Sequence, residues 1–402
     1  MRKVAVTGLG VVSSIGIGKD EFWNNLIKGK SGVDKVNLFD TSKFKRHYAG
    51  QIKNFNPAPF INPEIVEFLG RASQFSISAA KLALDDANIK EKEIKGKEVP
   101  VIIGTTMAEA NSLDISSGRI LRDKFDNITK RLLLDAFPAS IPRNIGYFFG
   151  TKGVNFLIPN ACSAGNYAIS YGFDLVKRGR YDLVIVGGSE ALSRVAFQGF
   201  QRLYAMAQRM CRPFDKNRKG MILGEGSGIL VLESLDKALD RSAFVYAEVL
   251  GYGLSSDAYH MTIPKKEGIK KSIEKALKNS RLSIADIDYI SAHGTGTVQN
   301  DKAESAAIKE AFGKRYREIP VNSIKSMLGH CMGAASAMEA INCCMAIKEG
   351  IIPPTINYKE PDPECDIDCV PNKARKVNVK TALNNGFAFG GNNCCVVFGK
   401  TA

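Results

Sequence analysis

The sequence predicts an α/β fold. Short β-prone runs alternate along the whole chain with segments that are apolar at helical spacing, and several of the runs empty into glycine-marked turns. The chain has 402 residues and is 45% hydrophobic, enough to bury a large core in two domains or a duplicated one.

In chain order, strands are expected at 4–6, 99–103, 155–158, 183–186, 228–232, 243–252, 289–291, 381–384 and 394–398. They are rich in valine, isoleucine and other β-prone residues. Helices are expected at 21–28, 73–86, 166–177, 268–279, 301–312 and 336–348, where apolar residues recur three and four apart. The charged stretch 90–99 reads as an exposed loop, and the prolines at 353–354 and 361–371 mark extended connections. Both halves follow one plan, a strand, a turn bearing reactive side chains, a helix and further strands. The junction near 233–241 divides the chain into residues 1–240 and 241–402.

Composition excludes several classes. No apolar run approaches the roughly 20 residues of a membrane span. The N-terminus enters a strand without the pattern of a signal peptide. Nine cysteines include the adjacent pairs Cys343-Cys344 and Cys394-Cys395, which suit a reducing, cytoplasmic setting. Cys365 and Cys369 lack a second paired cluster, so no metal site is expected. The net charge of +14 comes from scattered residues with no nucleic-acid recognition motif. Gly8-Leu9-Gly10 follows the first strand but lacks the third glycine of a dinucleotide loop, having Ser13, so no nicotinamide cofactor is expected.

Reactive residues concentrate at three turns. Cys162, in Asn160-Ala161-Cys162-Ser163-Ala164-Gly165, lies between an apolar strand and a helix. Free N–H groups and the helix dipole at such a position favour thiolate, and small neighbours admit a substrate. Alone, the turn fits equally a buried cysteine packing as a small hydrophobe. The other two turns carry His293 in His293-Gly294-Thr295-Gly296-Thr297 and His330 after Asn322-Ser323-Ile324-Lys325. Two of only four histidines in glycine-flanked turns, with one elbow cysteine, form a constellation for thiol chemistry.

These motifs give the chain a resemblance to β-ketoacyl-acyl-carrier-protein synthases of the synthase II type, in the thiolase-like superfamily. Further motifs carry it in the same order: Arg212-Pro213-Phe214-Asp215, Gly224-Glu225-Gly226, Ser255-Ser256-Asp257-Ala258-Tyr259-His260 and Gly386-Phe387-Ala388-Phe389-Gly390-Gly391. The resemblance implies a five-layered αβαβα fold of two similar halves. It also implies decarboxylative condensation of an acyl thioester with a malonyl thioester. Cys162 matches the acyl-accepting nucleophile. His293 and His330 match the imidazoles that stabilise the enolate, and Lys325 an electrostatic support. Phe389 matches both the gate and, through its N–H, an oxyanion donor with Cys162. Glu339 matches the carboxylate of a lysine–glutamate network; Glu304 reads either as a second partner for Lys325 or as a surface charge. Thr295 and Thr297 match hydroxyls that hold pantetheine, and Met107 and Phe200 match the acyl tunnel.

No cofactor of its own is implied; substrates arrive on the phosphopantetheine of acyl carrier protein, an acidic partner. Its docking candidates are Lys130, Arg131, Arg202 and Arg209, although Glu64 and Glu67 stand where relatives carry basic residues. The expected assembly is a homodimer, or a heterodimer with a homologous ketosynthase-like subunit. Asn392 and Ala388 depart from the usual gate loop, and Glu109 stands where relatives have glycine. The motif around Cys162 points to a type II polyketide or specialised fatty-acyl pathway. The alternatives are housekeeping fatty-acid elongation and an acyltransferase that does not decarboxylate. A non-condensing partner subunit would lack the cysteine.

Overall fold

In a computed structural model, residues 1–122 and 137–401 are described. Lys130 and Arg131 lie outside them.

The sheet order records a duplication. Strands β1 (Val4–Ser13), β2 (Val101–Gly104), β3 (Asn155–Ile158), β4 (Leu183–Glu190) and β5 (Gly226–Ser234) form the first half-sheet in the order β3-β2-β4-β5-β1. Strands β6 (Ala247–Ser256), β7 (Tyr289–Ser291), β8 (Val321–Asn322), β9 (Thr381–Phe387) and β10 (Asn392–Gly399) form the second in the order β8-β7-β9-β10-β6. Each half has the same sense of pairing. The second strand is parallel to the third and fourth, and the fifth runs antiparallel to the fourth and first. β1 and β6 join the halves through Val4–Val6.

Five layers follow from which strand faces are apolar. Helix α1 (Arg71–Asp86) covers the outer face of the first half-sheet, while α3 (Lys266–Ser280) and α4 (Val298–Phe312) cover that of the second. Helices α2 (Ala164–Lys177) and α5 (Ala335–Glu349) lie between the two half-sheets. Alternation along each strand feeds two cores: Ile102, Val184, Val186 and Leu230 face the middle layer. Val101, Ile103, Ile185 and Ile229 face α1 instead. Strands buried on both faces read as continuous apolar runs, as these do. Every residue of α5 from Ala335 to Ile347 is buried, so that helix has no solvent face to keep polar.

Most expected elements are present with ends shifted by a few residues. One expectation fails: the charged stretch 90–99 contains a short helix, Glu91–Ile94, begun by the Glu93 carboxylate accepting the Lys90 N–H at 2.7 Å and anchored by buried Ile94. The glycines of β1 also have a structural explanation. A Cβ at Gly8 or Gly10 would collide with the carbonyl oxygens of Ala83 and Ala79 on α1, so they serve helix packing.

Candidate active site

The two inner helices are entered by matching turns. β3 leads through the 3₁₀ turn Ala161–Ser163 into α2, and β8 leads through Lys325–Leu328 and the 3₁₀ turn Met332–Ala334 into α5. A Cβ at Gly165 would press on Ser336 and Ala337, so the N-terminal ends of α2 and α5 approach closely. That approach carries Cys162 and His330 to one point, and β7 delivers His293 to it from the neighbouring strand end.

The Cys162 sulfur and ring nitrogens of His293 and His330 lie within 4.8 Å of one another, all three residues buried. The two imidazoles meet edge to face, with centroids 5.3 Å apart at 83°. His330 Nδ1 accepts the Met332 backbone N–H at 3.2 Å, which places the proton of the neutral ring on Nε2. That nitrogen, like His293 Nδ1, has no protein partner among the described residues. Burial holds both histidines well below their usual pKa, and the Lys325 charge lowers them further. Both are therefore neutral at physiological pH.

Cys162 departs from expectation. The helix end was expected to favour thiolate, but burial dominates and pushes the thiol up to about 12. The Lys325 charge and the backbone N–H groups of Phe389 and Cys162 itself pull it down only in part. The same two N–H groups are the expected oxyanion donors.

Lys325 and Glu339 form an ion pair with both side chains buried. Burial raises the Glu339 carboxyl to about 7 against the opposing pull of Lys325. Glu304 meets neither of its expected descriptions. It is fully buried and accepts the backbone N–H groups of His293 and Gly294, each at 2.8 Å, and the Asn385 amide at 3.1 Å. Rather than pairing with Lys325, it fixes the loop that carries His293, and burial lifts its pKa.

A cavity of about 30 Å³ adjoins the three reactive atoms and is also lined by Thr295, Thr297, His260 and Phe389. The two threonine hydroxyls bond each other at 2.9 Å, and Thr297 also caps α4. That space holds about one water. Phe389 lines it, its ring 5.9 Å from that of Phe200 and packed in the cluster that includes Met107. Gly390 and Gly391 follow with φ of 85° and 76°, conformations that give this segment few alternatives to glycine. The expected tunnel and gate residues are thus in contact.

Of the docking candidates, Arg202 borders a groove of about 1070 Å³, also lined by Lys43, Lys45, Arg46, Arg122 and Lys219. Arg209 is exposed, outside that groove, its guanidinium over the Tyr48 ring at 5.8 Å.

Glu190 was missed. It ends β4 beside the site, and burial raises its carboxyl to about 7. Its signal was a glutamate closing an otherwise apolar strand, after Gly187-Gly188-Ser189.

Cys162, His293 and His330 are also the one group among the described residues close enough to share a metal ion. A nearby ammonium that depresses both imidazoles opposes a cation there, whereas it favours an anionic thiolate or carboxylate.

Two half-sheets of one topology, back to back across paired inner helices with a cysteine at their junction, define the thiolase-like α/β class. The sequence profile described as beta-ketoacyl synthase, N-terminal domain, matches residues 1–238, and that of the C-terminal domain matches 246–359. The chain belongs to the beta-ketoacyl synthase family. It is 38% identical to a 3-oxoacyl-[acyl-carrier-protein] synthase 2 of Synechocystis sp., covering 99% of this chain and 98% of that one. It is 36% identical to the protein of that name from Staphylococcus aureus, with the same coverage. Among solved structures, the ishigamide ketosynthase/chain length factor aligns with a TM-score of 0.96 at 41% identity, covering both chains fully. AntDE:AntF, a type II polyketide synthase acyl-carrier protein in complex with its ketosynthase, aligns at 0.90 and 33% identity, again over both whole chains.

Proposed function

We propose that this protein is a ketosynthase that condenses an acyl group held on Cys162 with a malonyl thioester on acyl carrier protein. The observation that carries the reading is the convergence of one sulfur and two neutral imidazoles within 4.8 Å. In the first step Cys162 sulfur attacks the incoming thioester. The acyl C–S bond to the carrier breaks, and the cysteine proton ends on the released pantetheine thiol. In the second, the malonyl C–C bond breaks and carbon dioxide leaves. The electron pair becomes an enolate whose oxygen meets the N–H groups of His330 and His293. The enolate carbon attacks the acyl-cysteine carbonyl, and the N–H groups of Cys162 and Phe389 hold the oxyanion. Collapse releases the Cys162 thiolate, which takes one proton from water.

In this reading Lys325 and Glu339 support the charge balance, Thr295 and Thr297 hold the pantetheine arm, and Met107 and Phe200 bound the acyl chain. No cofactor beyond the carried pantetheine enters. Residues 1–240 would form the half bearing the nucleophile and 241–402 the half bearing both histidines.

The carrier protein is acidic, and the basic groove beside Arg202 supplies the complementary field. A type II polyketide or specialised fatty-acyl pathway is favoured by the motif around Cys162 and by the likeness to the ishigamide ketosynthase/chain length factor. Housekeeping elongation is the second reading, favoured by the 38% identity to a 3-oxoacyl-[acyl-carrier-protein] synthase 2. A cytoplasmic setting fits nine free, buried cysteines.

Assembly as a dimer of like folds is supported by β3. This edge strand has no partner on its outer side among the described residues and exposes Phe156, stacked edge to face on exposed Tyr171. The second subunit is either another copy or a homologous ketosynthase-like chain.

The test is intact-mass analysis after incubation with acyl- and malonyl-carrier protein. An acyl adduct at Cys162, then a β-ketoacyl product with loss of carbon dioxide, is the expected result. No adduct, or transfer of the acyl group to an amine instead, overturns it. Cys162→Ala abolishes loading.

A further inference from the structure

The reaction described above leaves one buried carboxylate beside the site without a task. Glu190 is fully buried at the end of β4. Its oxygens accept four hydrogen bonds from two different parts of the chain. Three come from the loop after β2: the Thr106 N–H at 2.6 Å, the Met107 N–H at 2.9 Å and the Thr105 hydroxyl at 3.3 Å. The fourth is the Gly333 N–H at 3.1 Å, from the turn that enters α5 three residues after His330. A side chain buried without solvent and satisfied by four donors is specified by its surroundings rather than tolerated by them.

We infer that Glu190 is a positioning residue that ties the wall of the acyl pocket to the turn bearing His330, so that both are held in register around Cys162. Three further contacts carry the argument. The Thr105 hydroxyl also accepts the Ala108 N–H at 2.9 Å, so the clamp extends across Met107 to its far side. Ala108 holds a left-handed backbone with φ 49°, which a free loop would relax. Glu109 then reaches away from the site and accepts the N–H groups of Ala72 and Ser73 at the start of α1, at 3.2 and 2.6 Å. Met107 is thus pinned between two buried carboxylates, one facing the histidine turn and the other the outer helix. On the other side of Glu190, Gly333 leaves no room for a side chain, since a Cβ there would strike Thr105 and Thr106. The pocket loop and the histidine turn are therefore in direct contact with Glu190 as their shared acceptor.

The inference rests on the ketosynthase reading, and the test separates the two. Acyl loading of Cys162 and decarboxylation of malonyl-carrier protein are measured as separate partial reactions. They are compared for the wild type, Glu190→Gln and Thr105→Val, each checked for an unchanged fold by thermal melting. Glu190→Gln removes one acceptor oxygen and the charge; Thr105→Val removes the hydroxyl that donates to Glu190 and accepts the Ala108 N–H, and leaves the three backbone donors in place. The expected result for Glu190→Gln is a fall in kcat of about tenfold to a hundredfold in both partial reactions, the scale of a displaced reacting group, with KM for the carrier protein unchanged. Thr105→Val is expected to slow loading with long acyl chains while leaving malonyl decarboxylation as in the wild type. A wild type that neither loads nor decarboxylates sinks the ketosynthase reading. A wild type that does both, with a folded Glu190→Gln of equal kcat, overturns the positioning role alone. If Glu190→Gln does not fold, Thr105→Val decides: unaltered loading across chain lengths overturns the inference.

Discussion

Ala161 and Met332 hold the same left-handed backbone, with φ of 48° and 46°, at corresponding turns of the two halves. Each sits where the chain leaves the third strand of its half-sheet for an inner helix. In the first half the strained residue immediately precedes Cys162. In the second it directs its N–H back onto His330 Nδ1. One turn, used twice, therefore presents sulfur from one side and selects the imidazole tautomer on the other.

The strain at Ala161 can be tested directly. A left-handed conformation costs an ordinary residue roughly 1–2 kcal/mol, and more for a β-branched one. Ala161→Val is expected to lower the urea midpoint, with a loss on the order of 2 kcal/mol. Ala161→Gly should stay close to the wild type, because relief of strain offsets the added freedom of the unfolded chain. Equal stability of the valine variant and the wild type would remove the argument from strain.

A thiol held near 12 is largely protonated at rest, so Cys162 should alkylate slowly at pH 7.5 and faster as pH rises toward 10. Lys325 is the foremost influence lowering that value. Lys325→Met should therefore slow iodoacetamide labelling of Cys162, read by peptide mass, by up to about tenfold for each unit that the thiol pKa rises. Faster labelling in the variant would reverse the assigned sign.

The fold was legible because its strands are buried on both faces: runs such as Val101–Gly104 and Leu183–Glu190 stand out without any alternation to decode. Cys162, His293 and His330 were legible because reactive side chains lay in glycine-flanked turns. Three features were not. The direction of the Cys162 shift depends on how deeply the tertiary structure buries a turn, which local helix geometry does not specify. Glu304 read equally as a partner for Lys325 or as a helix-surface charge because its partners, the N–H groups of His293 and Gly294, are backbone atoms whose approach no side-chain pattern records. Glu190 was hidden for the same reason: three of its four donors are backbone.

Phe389 lines the small cavity beside Cys162, and the proposed gate role makes it a barrier to that sulfur. Phe389→Ala should open the space over the sulfur and speed alkylation of Cys162 by about tenfold, an exposure effect rather than a pKa effect. Condensation should fall even so if, as proposed, this segment supplies an oxyanion N–H, since it loses its packing against Phe200. Unchanged labelling would show that another residue closes the site.

The exposed edge of β3 predicts the assembly. Phe156→Glu places a charge on the strand that would pair across the interface, and repulsion between copies should shift the protein toward monomer in light scattering after gel filtration. A wild type already monomeric at micromolar concentration, with no homologous partner, would remove the dimer from the proposal.

Glu190 gives the pH dependence of stability a definite sign. Its folded pKa is about 7, against a reference of 4.5, chiefly because burial disfavours the charged form. Between those values the folded chain keeps a proton that the unfolded chain has released, so the folded state binds more protons and loses stability as pH rises. The penalty is absent below about 4.5 and complete above about 7, and amounts to on the order of 3 kcal/mol. Glu339 titrates in the same window, so the comparison must be with Glu190→Gln, in which Glu339 is retained. Urea unfolding of both proteins from pH 4.5 to 8 should show the wild type losing stability more steeply than the variant, with the gap opening by about that amount. Parallel pH profiles would mean that the hydrogen bonds from Thr106, Met107 and Gly333 hold the carboxylate ionised throughout, and that burial has been outweighed.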